Sequence, residues 1–183
     1  MFNSDLLVKS RRVLLYDELQ DYQSVIEHLS EHLKTHPQNH VAYNNRGLAY
    51  SEIGRGVEAL LDFTKALECS ADDPIPYVNR GGLRMRRKLA GMYKDAIDDY
   101  KKAVAIKGDD PTFHRCLAHA CLKADRLQEA IDAFTQAISL DPEFGRTYQE
   151  RGEIYSKIGE MEKAKQDFKA ASKRPQSSYK WRK

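Results

Sequence analysis

Little in this sequence points to a crosslinked, fibrous or membrane-spanning protein. Its three cysteines, Cys69, Cys116 and Cys121, are odd in number, which argues against a disulfide framework. Ten glycines and six prolines in 183 residues are too few for a collagen-like or low-complexity chain. No apolar run reaches the roughly 20 residues that a bilayer-spanning helix requires. The opening MFNSDLLVKSRRV also lacks the apolar core of a signal peptide. A cytoplasmic, reduced setting is the expectation. The net charge of +3 is too small to demand a nucleic-acid partner. What positive charge there is sits locally, with four cations in Arg84–Lys88 and five in Ser172–Lys183. The remainder of the chain is net acidic.

What the sequence does have is a period. An alanine followed four residues later by an aromatic occurs at Ala59–Phe63, Ala96–Tyr100, Ala130–Phe134 and Ala164–Phe168, with a degenerate Val25–Leu29 ahead of them. Successive first residues lie 34, 37, 34 and 34 apart. Upstream of the step stands Tyr43-x-x-Arg46-Gly47-x-x-Tyr50, repeated as Tyr77-x-x-Arg80-Gly81 and Tyr148-x-x-Arg151-Gly152-x-x-Tyr155, with Ala118 at the glycine position of the remaining unit. Each unit holds two apolar patterns of helical period joined by a short polar turn such as Ile53-Gly54-Arg55-Gly56. Small residues at the Gly47 and Ala59 positions predict a close antiparallel helix pair, with the aromatic filling the space beside them. One such hairpin cannot bury its apolar faces alone, so neighbours are expected to stack.

This phased pattern resembles the tetratricopeptide repeat (TPR) family, whose signature is W-x₂-L-G-x₂-Y, then A-x₃-F, then P. Tyrosine stands for the tryptophan, and arginine for the leucine before the glycine. The resemblance covers Leu6 to Ser178 and implies an all-α, right-handed α-solenoid of five helix-turn-helix repeats. The expected units are 6–39, 40–73, 74–110, 111–144 and 145–178, after a lead of residues 1–5 and before a basic tail of residues 179–183. In the fifth unit Lys165, Ser172 and Arg174 stand where other units carry apolar interface residues. That unit reads as a solvated terminal cap, with no further domain expected. The three extra residues of the third unit fall within Arg84–Gly91. They predict either an added turn on its first helix or an enlarged loop.

The resemblance implies a non-catalytic scaffold or adaptor that binds a protein or peptide in a concave groove lined by the first helix of each repeat. Carried over position by position, the groove residues are Asn44, Asn45, Leu48, Asn79, Arg86, Arg115, His119 and Lys123. Asn45 and Asn79 occupy the position of an asparagine ladder, whose amides both donate to and accept from a peptide backbone. Alternatively, they brace neighbouring helices. Arg86, Arg115 and Lys123 would favour acidic side chains on the partner, whereas Glu150 and Glu153 would repel them. The dicarboxylate clamp of some co-chaperones is not reproduced, since only its central asparagine matches.

Other chemistries find less support in the residues. His28-Leu29-Ser30-Glu31-His32 fits an H-x-x-E-H zinc-hydrolase pattern, yet it falls on the second helix of the first unit, with His32 at a packing position. No catalytic residue, metal or cofactor is expected. An RNA-binding helical repeat using Arg84–Lys88 and the tail is the alternative among binding functions. It lacks regular aromatic stacking positions in the groove.

Overall fold

The computed structural model describes residues 21–86 and 90–175. These residues form helices only: α1 (Tyr22–Thr35), α2 (His40–Glu52), α3 (Gly56–Cys69), α4 (Pro74–Arg86), α5 (Ala90–Ile106), α6 (Pro111–Lys123), α7 (Leu127–Leu140), α8 (Gly145–Lys157) and α9 (Met161–Ser172). The fold is an all-α helical repeat. The expected first helix of the 6–39 unit and the tail beyond Pro175 lie outside the described residues.

Local chemistry sets the helix ends. The side chains of Asp21, Asn39 and Asp110 accept hydrogen bonds from the backbone N–H groups of Ser24, Ala42 and Thr112, each satisfying a donor that has no partner inside its helix. Pro111 follows its cap at the first helical position, where its missing N–H costs nothing. Three of the turns within helix pairs pass through the left-handed region. Gly54 (φ 80) and Gly159 (φ 84) do so without steric cost, and Asp125 (φ 56) takes the same role between α6 and α7.

The chain divides into two compact units, one through Arg87 and one from Lys88. In the first, Val25, Ile26, Leu29 and Leu33 of α1 form a buried cluster with Ala42 and Ala49 of α2, and a second cluster joins Ala59, Phe63 and Leu83. Phe63 is 1% exposed, a burial that favours folding by about 1.5–3 kcal/mol. A Cβ at Gly47 would stand 2.8 Å from the Phe63 ring, so α2 approaches α3 as closely as only glycine allows. The second unit repeats the device. A Cβ at Gly152 of α8 would stand 2.9 Å from the Phe168 ring, while Phe134 and Ala118 are fully buried in α7 and α6.

Two expectations are corrected. Helix α4 has 13 residues, like α2, α6 and α8, whereas α5 has 17 against 14 in α3 and α7. The described helices therefore place the extra length in the second helix, while residues 87–89 of the expected insertion lie outside the described residues. Lys165 and Ser172 are exposed, but Arg174 is not a plain solvated position. Its Nε donates to Pro142 O at 2.6 Å, its Nη1 donates to Ala170 O at 2.9 Å, and its guanidinium covers the Tyr148 ring at 4.7 Å. It ties the end of α9 to the start of α8.

Candidate functional site

In the first unit the expected groove residues lie on α2 and α4. Asn79 donates from Nδ2 to Asn44 Oδ1 at 2.8 Å, and Asn44 donates a longer bond of 3.4 Å to Asn45 Oδ1. The three amides thus form a relay from α4 into α2. Asn45 is 0% exposed, which corrects its expected role. A side chain sealed under α2 and α4 cannot grip a passing backbone, so it braces the helices. Asn79 is half-buried and is the rung left near the surface. Leu48 is half-buried against the Ala59–Phe63–Leu83 cluster. Arg86 is exposed, with Nη2 on the Ser51 hydroxyl and Nη1 4.0 Å from Glu52.

In the second unit α6 and α8 border a cleft of about 330 Å³, lined by His119, Leu122, Lys123, Glu150 and Ile154 among others. His119 lies 3.4 Å from Glu150 and packs edge-on against Phe134. Arg146 reaches Glu150 from the other side at 2.9 Å. Burial by itself would raise the Glu150 carboxyl. The hydrogen bonds and charges of His119 and Arg146 outweigh it and hold that carboxyl below the ordinary glutamate value. Arg115 departs from the expectation. Its guanidinium lies over the Phe144 ring at 4.8 Å, donates to Thr112 Oγ1 at 3.1 Å and stands 3.9 Å from Asp141. Stacking on an aromatic desolvates it, so it is folded onto its own unit instead of projecting as a free cation. Lys123 is exposed at the cleft.

Sequence reasoning missed a buried ionic clasp. Arg46 donates to both carboxylate oxygens of Asp62 at 2.7 Å and to Ser30 Oγ at 3.0 Å. Arg151 does the same with Asp167 at 2.8 Å and Thr135 Oγ1 at 2.9 Å. Each guanidinium also stands 5.6–6.0 Å from two tyrosine rings, Tyr43 and Tyr50 or Tyr148 and Tyr155. Arg80 keeps part of the set, donating to Thr64 at 3.1 Å beside Tyr77. The Asp62 hydrogen bond raises the Arg46 pKa further, and Asp167 does so for Arg151. The signal was available. Aspartate follows arginine by sixteen residues in both units, and serine or threonine precedes it by sixteen.

No three His, Cys, Asp or Glu side chains gather in metal-binding geometry among the described residues. In the histidine segment, His32 Nε2 accepts from Asn39 Nδ2 at 3.0 Å, and its ring stacks on His36 at 4.4 Å. Burial pushes the thiols of Cys116 and Cys121 up, away from the thiolate form. Among the described residues no helix is long and apolar enough to cross a membrane.

Helix pairs of one period, closed by a glycine or alanine against an aromatic, define a helical-repeat protein. Comparison with known proteins gives the kind of repeat. The family model Tetratricopeptide repeat matches residues 111–144 and again 145–177. The rat DnaJ homolog subfamily C member 3 is 30% identical over 75% of this chain and 30% of its own length. The small glutamine-rich tetratricopeptide repeat-containing protein 2 of Mycosarcoma maydis is 31% identical over 55% of this chain and 27% of its own length. Among solved structures, MamA of Desulfovibrio magneticus RS-1 superposes with a TM-score of 0.78 at 19% identity, covering 93% of both chains. YrrB, described as a TPR protein with an unusual peptide-binding site, gives 0.73 at 19% identity over 88% of this chain and 81% of its own. The chain belongs to the tetratricopeptide repeat family. It spans 30% of the length of the rat relative and 27% of the Mycosarcoma maydis one.

Proposed function

We propose that this chain is a non-catalytic protein-interaction scaffold whose first helices, α2 and α4 in the first unit and α6 and α8 in the second, each present a binding surface to an extended segment of a partner protein. The observation that carries the proposal is the contrast between helix faces. Helix α2 is closed on α3 and α8 on α9 by apolar packing and an ionic clasp, whereas α6 and α8 leave an open cleft with charged walls over Leu122 and Ile154. The peptide-binding description of YrrB supports the reading. Asn79 would hold the segment's backbone, its amide being oriented by Asn44. Arg86 in the first unit and Lys123 in the second, both exposed, would each select acidic side chains at its own surface. This reading leaves Asn45 and Arg115 as structural supports.

Selection from a random peptide library displayed on phage tests this. Enrichment of extended, acidic-rich peptides is expected, with binding weakened at least about tenfold in an Asn79→Ala, Lys123→Glu double variant that retains its helical circular dichroism. Selected peptides that bind the double variant as well as wild type would remove the first helices as the site.

A further inference from the structure

The wall of tyrosine, arginine, tyrosine and aspartate that closes α2 on α3 and α8 on α9 is missing from α6 and α7. In place of Tyr43, Arg46, Tyr50 and Asp62, or of Tyr148, Arg151, Tyr155 and Asp167, this pair has His114, Leu117, Cys121 and Ala133. Each replacement is smaller than what it replaces. The site that receives serine or threonine in the clasps, sixteen residues before the arginine, is Lys101 here, and it turns to Glu129 at 3.0 Å. What remains is a cleft of about 470 Å³, within the roughly 300–1,000 Å³ range of ligand sites.

Its lining tells what fits. Val104, Leu117 and Ala133 give an apolar stretch, while Glu129, Asp132 and Gln136 supply acceptor oxygens. Glu129 is already held by Lys101 and by Arg126 at 2.5 Å. Asp132 is exposed and receives one bond from the Gln128 amide at 2.9 Å, so most of its acceptor capacity is open. An occupant therefore needs an apolar stem and a donor-only, cationic head. Those are the properties of the side chain that fills the corresponding space in the other pairs.

We propose that the α6–α7 cleft receives an arginine side chain from a partner protein, with its stem on Leu117 and Ala133 and its guanidinium on Asp132. In the chain's own clasps the corresponding space, between α2 and α3 and between α8 and α9, holds a guanidinium. Arginine is favoured over lysine because its planar fork matches a carboxylate with two parallel bonds. The cleft lies among α5, α6 and α7, away from the α6–α8 face, so the proposal stands or falls independently of the scaffold surface above.

Amide NMR spectra of the full chain, titrated with N-acetyl-arginine amide, provide the test. Saturable shifts are expected at Leu117, Asp132 and Ala133. The neutral isostere N-acetyl-citrulline amide should bind at least about tenfold more weakly. A Leu117→Arg, Ala133→Asp variant rebuilds the internal clasp and should lose the response. Asp132→Asn, an exposed change that leaves packing intact, should weaken it even if the rebuilt clasp fails to fold. Absence of saturable shifts, an equal response to citrulline, or an undiminished response in Asp132→Asn would each overturn the proposal. Shifts of the same amides with protein concentration alone would place a second copy in the cleft and overturn it as well.

Discussion

Gly47 and Gly152 hold the same register position against the same kind of residue, yet substitution should separate them. A Cβ at Gly47 meets the Phe63 ring at 2.8 Å, and that ring is 1% exposed with nowhere to go. A Cβ at Gly152 meets Phe168 at 2.9 Å, but Phe168 is 41% exposed and can swing outward. Gly47→Ala should cost about 1–3 kcal/mol by overpacking. Gly152→Ala should stay within about 1 kcal/mol of wild type, its clash offset by the entropy gained on replacing a helical glycine. Urea midpoints check the pair, and equal losses would show that Phe168 is as confined as Phe63. Glu150 carries a second prediction. Its folded-state pKa lies below the ordinary 4.5, so its contacts with His119 and Arg146 stabilise the fold above that value. Their contribution is lost as pH falls through the folded value. Wild type should therefore lose stability more steeply than Glu150→Gln as pH falls below the ordinary glutamate value. Superimposable acid curves for the two would contradict it.

Between elements, the Arg46–Asp62 clasp offers a controlled comparison, because α6 and α7 manage with Leu117 and Ala133 at the same positions. Asp62→Ala strands a guanidinium whose side chain is only 18% exposed, and should cost about 3–5 kcal/mol. Arg46→Leu together with Asp62→Ala copies the α6–α7 solution and should cost clearly less, since no buried charge is left unpaired. Thermal unfolding of both variants decides this. A double variant as unstable as the single would mean that lost packing, not the stranded charge, sets the cost. The clasp also shows where the sequence stopped being legible. The alanine-to-aromatic step fixed which helices approach, because steric fit at Gly47 and Phe63 depends on residues of one turn. That Asn45 is sealed while Asn79 is half-buried is a matter of tertiary packing, and no periodicity carries that. Arg46 and Arg151 were visible only as replacements for the family's leucine, although their aspartates stood at a constant sixteen residues. The extra turn of α5 was ambiguous because an inserted residue lengthens a helix or a loop with similar local composition.

At the scale of the whole molecule, the helix-pairing contacts described join residues close in sequence, as the sixteen-residue clasps illustrate. Such local wiring favours rapid folding and lets different stretches of one chain open independently. The vacancy between α6 and α7 then acquires a meaning in time as well as space. A helix pair without the bidentate ion pair of its neighbours has fewer interactions to break before its backbone meets solvent. Amide hydrogens in 111–140 should accordingly exchange with deuterium sooner than those in 40–69, a difference that mass spectrometry of proteolytic fragments resolves. The rebuilt clasp, Leu117→Arg with Ala133→Asp, should slow that exchange. The stretch able to take in another protein's side chain would then be the stretch that breathes most often, and its clock could be set by two residues.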